Sequence, residues 1–152
     1  MLRTGRPRFD AGILAAFPVQ RIGVEVPGLE RPVAIRLGGT GRQVFRETFF
    51  RDDSSFVPPP GLRAIVDAGA NVGCSVLWFR RQSPEPRIAA LEPDPYNFAV
   101  LAAGCGRLPG VTRLQAALWG TDGEVRIERR RSAGRPLGSW GTRTAAPGAA
   151  PA

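Results

Sequence analysis

The sequence predicts an α/β protein, the N-terminal half of a doubly wound parallel sheet. Three observations carry that prediction. Short apolar runs of strand length recur from residue 62 onward, and the first two each lead into a helical pattern. The first run ends in an acid and enters a glycine-rich turn, Asp67-Ala-Gly69-Ala-Asn71-Val-Gly73. The second ends in another acid, Glu92, at the corresponding place.

In chain order, residues 1–60 form an N-terminal strand/helix extension. Val33 to Leu37 alternates as a strand, the Gly38-Gly39-Thr40-Gly41 run turns, and Gln43 to Phe50 fits a short helix with Val44, Phe45 and Phe49 near one face. Pro58-Pro59-Pro60-Gly61 closes that region, because no helix crosses it and each residue before a proline is held extended. Residues 61–131 form the α/β core. Leu62 to Asp67 is the first strand, and Cys74 to Gln82 a helix stopped by Ser83-Pro84-Glu85-Pro86. Arg87 to Glu92 is the second strand. Asp94 before Pro95 is an N-cap followed by the preferred first-turn residue, opening a helix whose Phe98, Leu101, Ala102 and Cys105 share a face and which ends at Gly106. Val111 to Leu118 is the third strand. Asp122-Gly123 is a hairpin turn signal, with Glu124 to Glu128 as the returning strand. Residues 132–152 form a tail in which 13 of 21 residues are Ala, Gly or Pro, so little regular structure is expected there.

The chain has 152 residues, room for one domain of ordinary size, with 43% hydrophobic and 22% charged residues, a globular balance. No apolar run approaches the ~20 residues that cross a bilayer, and the start reads as no secretory signal. A cytoplasmic location is the expectation. The net charge is +8, yet every basic residue is Arg and the excess concentrates after residue 125. That placement disfavours nucleic acid as the partner of the α/β core. The absence of His removes imidazole catalysis and imidazole metal sites, so no metal is expected. Cys74 and Cys105 lack metal-ligand spacing and fit buried small hydrophobes of a reducing compartment.

The chemistry concentrates in the two strand–helix turns. Gly69 and Gly73 let the backbone bend tightly and approach a ligand. The helix that follows presents free N–H groups and the positive end of its dipole, suited to a carboxylate or phosphate. Asp67 at the strand end suits a cationic amine, and Glu92 is placed to accept hydrogen bonds from ribose hydroxyls. A ligand with an amino-acid end and a ribose satisfies all of these together. The dinucleotide fingerprint G-x-G-x-x-G does not match G-x-N-x-G, and a phosphate is ill-suited to a turn preceded by Asp67. A P-loop is excluded because the chain has no Lys.

Three motifs in order, Ile65 to Gly73, Leu91 to Phe98 and Ala116 to Val125, resemble those of the FkbM-type S-adenosylmethionine-dependent methyltransferases, over about residues 30–143. The resemblance implies a Rossmann-like class I methyltransferase fold and methyl transfer, with a hydroxyl oxygen as acceptor. It implies S-adenosylmethionine as cofactor, with Asp67, Gly69, Asn71 and Gly73 at the methionine end, Glu92 on the ribose, and Pro93 and Ala117 toward the adenine. It places Trp140 in a loop near the acceptor, which would be a small molecule, glycan or lipid. No residue is assigned as catalytic base. The family continues with further strands, including one carrying an Asp-x-Glu-Gly type motif, so the chain reads as a truncated, cofactor-binding part, with a completing chain as a further partner. Strand 62–67 is then expected to have one side unpaired unless the N-terminal segment covers it, with poor stability of the isolated chain. Two other readings stay open: an inactive remnant, and an Arg-rich nucleic-acid-binding module built on Arg126, Arg129, Arg130, Arg131, Arg135 and Arg143.

Overall fold

A computed structural model describes residues 8–10, 21–37, 41–50, 58–124, 126–128 and 143–145. The elements are β1 (Arg8–Asp10), β2 (Arg21–Glu25), β3 (Val33–Arg36), α1 (Gly41–Phe50), β4 (Ala64–Ala68), α2 (Cys74–Gln82), β5 (Arg87–Leu91), α3 (Pro95–Cys105), β6 (Val111–Leu114), β7 (Arg126–Glu128) and β8 (Arg143–Ala145). The described residues form a mixed α/β structure with three small sheets.

β4, β5 and β6 form a parallel sheet in that order, with Ile65 beside Ile88 and Ile88 beside Val111. Parallel neighbours need a crossover connection, and α2 and α3 supply it. One face of this sheet is buried: Ile88 and Ala90 join Val72, Cys74, Val76, Leu77, Val100, Leu101 and Cys105 in the core. Alternation puts Val66, Ala89 and Thr112 on the other face, then Ala68, Leu91 and Leu114. There Val66 is 63% and Leu114 45% exposed. Among the described residues β4 pairs only with β5, so its outer edge is open, as the strand order predicts.

The N-terminal region is richer than its sequence suggests. β1, β2 and β3 form an antiparallel sheet of their own, in which Val24 pairs with Val33. β3 packs on α1 and α3, and α1 packs on α2. Phe45 anchors α1, its ring 5.1 Å from Phe49, whose ring lies 6.1 Å from Trp78 of α2. Val24, Val33, Ile35 and Phe45 belong to the same core as the α2 and α3 residues. The N-terminal sheet thus covers the helices and leaves the β4 edge alone.

Two expectations are corrected. The third strand stops at Leu114, and Glu124 to Glu128 does not return onto it; Arg126–Glu128 pairs with Arg143–Ala145 instead. A two-residue Asp-Gly hairpin needs strand on both sides of the turn, and Gln115 to Thr121 is not strand. The tail accordingly contributes β8, a three-residue strand that a composition rich in Ala, Gly and Pro conceals. Trp140, Arg129, Arg130, Arg131 and Arg135 lie outside the described residues. No helix among the described residues is long and apolar enough to cross a membrane.

Candidate functional site

The two strand–helix turns meet in one cavity. Asp67 is in the last turn of β4's alternation, on the face that looks toward the helices, and Glu92 directly follows β5. Because the strands are parallel and adjacent, both acids come to the same end of the sheet. They line a cavity of about 360 Å³ with Gly69, Ala70, Asn71, Ser75, Pro93 and Asn97, and with Val44 and Thr48 of α1 as a further wall.

The turn after β4 is bent by backbone alone. Gly69 and Gly73 take φ of 90° and 92°, and Asn71 between them takes 51°. The N–H groups of Gly69 and Ala70 donate to the Leu91 carbonyl at 2.8 and 2.9 Å, which ties this turn to the end of β5. The two glycines serve different ends. A Cβ on Gly69 would meet nothing within 4 Å, so the open side of that residue is free for a ligand. A Cβ on Gly73 would lie 2.8 Å from Cys105 Sγ and 2.9 Å from Leu101 Cδ1. Gly73 is buried against α3 and does not line the cavity.

Gly73 is also the N-cap of α2 and provides no side-chain hydrogen bond. Among the described residues, no N-cap side chain closes the first turn of α2. The Ser75 hydroxyl donates to Asp67 Oδ2 at 2.5 Å. Burial raises the Asp67 carboxyl above its ordinary value, and the Ser75 bond offsets part of that. Asn71 Oδ1 is buried with no hydrogen-bond partner, an acceptor in a turn that lines the cavity.

Glu92 is 6% exposed and held from several sides. Its Oε2 accepts from the Asn71 backbone N–H at 2.9 Å and its Oε1 from the Asp94 N–H at 2.8 Å. Burial raises its pKa, the two backbone donors pull it down, the Asp94 charge raises it, and a hydrogen bond from the Asn97 side chain lowers it. A carboxylate has about four acceptor sites, so these donors leave capacity for a ligand hydroxyl.

Asp67, Gly69, Asn71, Glu92 and Pro93 thus surround one cavity. Ala117 lies instead in a neighbouring hollow of about 620 Å³, with Gln115, Trp119, Asp122 and Glu124; Pro93 borders both. Thr48, Ser75 and Asn97 are site residues that the sequence reading omits. Ser75 carried a signal, as a polar residue in the first turn after the glycine motif. Thr48 comes from a separate part of the chain and carried none. Among the described residues no cluster of His, Cys, Asp and Glu is fit for a metal ion, and both cysteines are free and buried.

No protein-family profile matches the chain, and no solved structure matches it. Two fungal proteins do. Methyltransferase sdnD of Sordaria araneosa is 34% identical over 85 residues, covering 54% of this chain and 33% of its own length. Methyltransferase 1 of Beauveria bassiana is 36% identical over 56 residues, covering 37% of this chain and 22% of its own. The chain therefore spans about a third and about a fifth of these relatives, and the similarity is to part of a methyltransferase.

Proposed function

We propose that this chain is the cofactor-binding part of an S-adenosylmethionine-dependent methyltransferase of Rossmann-like architecture, of the FkbM type, acting on a hydroxyl oxygen. The observation that carries the reading is the convergence of Asp67 and Glu92 on one cavity beside the uncapped start of α2. The donor set fits such a ligand. Asp67 is an anion for the amino group, the α2 N-terminus offers N–H groups to the carboxylate, and Glu92 accepts from the ribose diol. The unpartnered Asn71 Oδ1 is a further acceptor for an ammonium or hydroxyl donor. Pro93 and the hollow around Ala117 lie toward the adenine. The partial likeness to two methyltransferases supports the same reading.

When bound, S-adenosylmethionine supplies an electrophilic methyl group on a sulfonium. The residues here bind and orient. Asp67 and the turn after β4 hold the amino-acid end, Glu92 holds the ribose, and Val44 of α1 walls the cavity from water. Catalysis of an in-line displacement rests largely on such positioning. A completing chain, or a segment beyond these elements, would bring the acceptor and its base.

Calorimetric titration with S-adenosylmethionine tests the reading. Saturable binding is expected, and Asp67→Ala and Glu92→Ala should each weaken it at least about tenfold, the scale of a charged hydrogen bond. Absence of binding by folded protein, or unchanged affinity in both variants, overturns it.

A further inference from the structure

Glu92 is joined to the N-terminal sheet through one buried amide. Arg36, the last residue of β3, donates from Nη1 to Asn97 Oδ1 at 2.9 Å. Its guanidinium also lies 5.5 Å from the centre of the Tyr96 ring. Asn97 is 2% exposed and lines the cavity with Glu92, whose carboxyl its side chain pulls down. An amide side chain has one accepting end and one donating end. Arginine has no acceptor, so the end of Asn97 that faces it must be Oδ1, and the Nδ2 end is left for Glu92. A carboxylate only accepts, so it takes that donor.

We infer that Arg36 is a positioning residue for the ligand's ribose, locking the Asn97 amide so that it donates to Glu92. This rests on the cofactor reading above. Without Arg36, Asn97 Oδ1 is a buried acceptor with no donor, and the amide gains a reason to turn away from Glu92. Glu92 then loses a donor to its charged form, and burial pushes its carboxyl higher still. The charged groups that face Glu92 are Asp94 on its own turn, Asp67 across the cavity and Arg36 through Asn97. Arg21 of β2 pairs with Arg36 in the strand register, Arg113 of β6 turns to the Ala102 carbonyl, and Glu47 of α1 is tied to Gln43 on an exposed face. The pH response of ribose binding should therefore report the state of Glu92, with Asp67 governing the methionine end separately.

The test titrates the full chain with S-adenosylhomocysteine, and separately with adenosine and with methionine, between pH 5 and 8. Arg36→Met keeps the aliphatic stem beside Tyr96 and removes the donors. It should lower affinity for S-adenosylhomocysteine and for adenosine roughly tenfold at pH 7 and move the acid limb of binding to higher pH. Methionine affinity should stay as it is, and Arg36→Lys should restore part of the loss. Asn97→Asp, nearly isosteric, keeps the acceptor for Arg36 and removes the donor to Glu92, so it should lose at least as much and covers the case in which Arg36→Met fails to fold. Folded Arg36→Met with unchanged affinity and pH midpoint, or with equal losses for methionine and adenosine, overturns the inference while the cofactor reading stands. A wild-type chain that binds neither adenosine nor S-adenosylhomocysteine overturns both.

Discussion

The turn after β4 and the turn after β5 are built on one plan and finished differently. Each leaves a parallel strand, passes an acid and starts a helix. The second closes its helix with its own side chain: Asp94 Oδ1 accepts from the N–H groups of Tyr96 and Asn97 at 2.8 and 3.3 Å, and Pro95 occupies the first helical position. The first is capped by Gly73 with no side-chain bond, and its three positive φ angles open it toward the cavity. One helix start is closed by a side chain of its own turn and the other is not. Both turns donate a backbone N–H to Glu92, from Asn71 and from Asp94, and on the proposed reading only the first has helix N–H groups left for the ligand.

The largest expected effect breaks the first turn. Gly73→Ala puts a methyl group against Cys105 and Leu101 at a φ of 92°. The clash and the left-handed backbone should together cost about 2–4 kcal/mol, read by denaturant unfolding. Because Gly73 does not line the cavity, the loss should appear in stability first. An unchanged midpoint would mean that α3 can shift and that the two turns are not rigidly packed.

The next effect comes from the thiols at the ends of the two helices. Burial pushes Cys74 and Cys105 up to about 12 from an ordinary 9.0. The folded pKa lies above the unfolded one, so this stabilising contribution is fully present below about pH 9 and is lost as pH rises toward 12. Each thiol should cost roughly 1.4 kcal/mol at pH 10 through that linkage. Thermal unfolding at pH 8 and pH 10 measures it, and Cys74→Ala with Cys105→Ala should flatten the difference. The smallest effect sharpens the second turn. Asp94→Ala removes two backbone hydrogen bonds to a helix start and should cost about 1 kcal/mol. It also removes an anion beside Glu92, so it is expected to lower the Glu92 pKa.

The same two turns explain what the sequence could show. Asp94-Pro95 is read directly as a helix start, because a cap is a local bond between residues two and three apart. The order strand, helix, strand, helix, strand is legible for the same reason, since each element fits its own periodicity. β2 had a weaker signal: Ile22, Val24 and Val26 alternate before Pro27-Gly28, but only pairing with Val33 and Ile35 makes that alternation a strand. β8 rests on pairing with β7 across a long stretch of chain, and nothing local marks Arg143-Thr-Ala145. In the site, the acids and glycines are legible because one motif contains them. Thr48 and the Arg36–Asn97 bond are not, because they join parts of the chain 61 residues apart in one case and a separate helix in the other. The two roles of Gly69 and Gly73 also needed their neighbours, since both glycines look alike in the motif.

Among the described residues β5 is paired on both sides, while β4 has a free outer edge. Amide hydrogens of β5 should therefore exchange slowly and those on the outer side of β4 fast, so the strand that carries Asp67 opens before β5. A ligand gripped at Asp67 and Glu92 spans the boundary between these two strands. Its binding would slow exchange in β4 more than in β5, and occupancy of the cavity would be written into the order of the sheet.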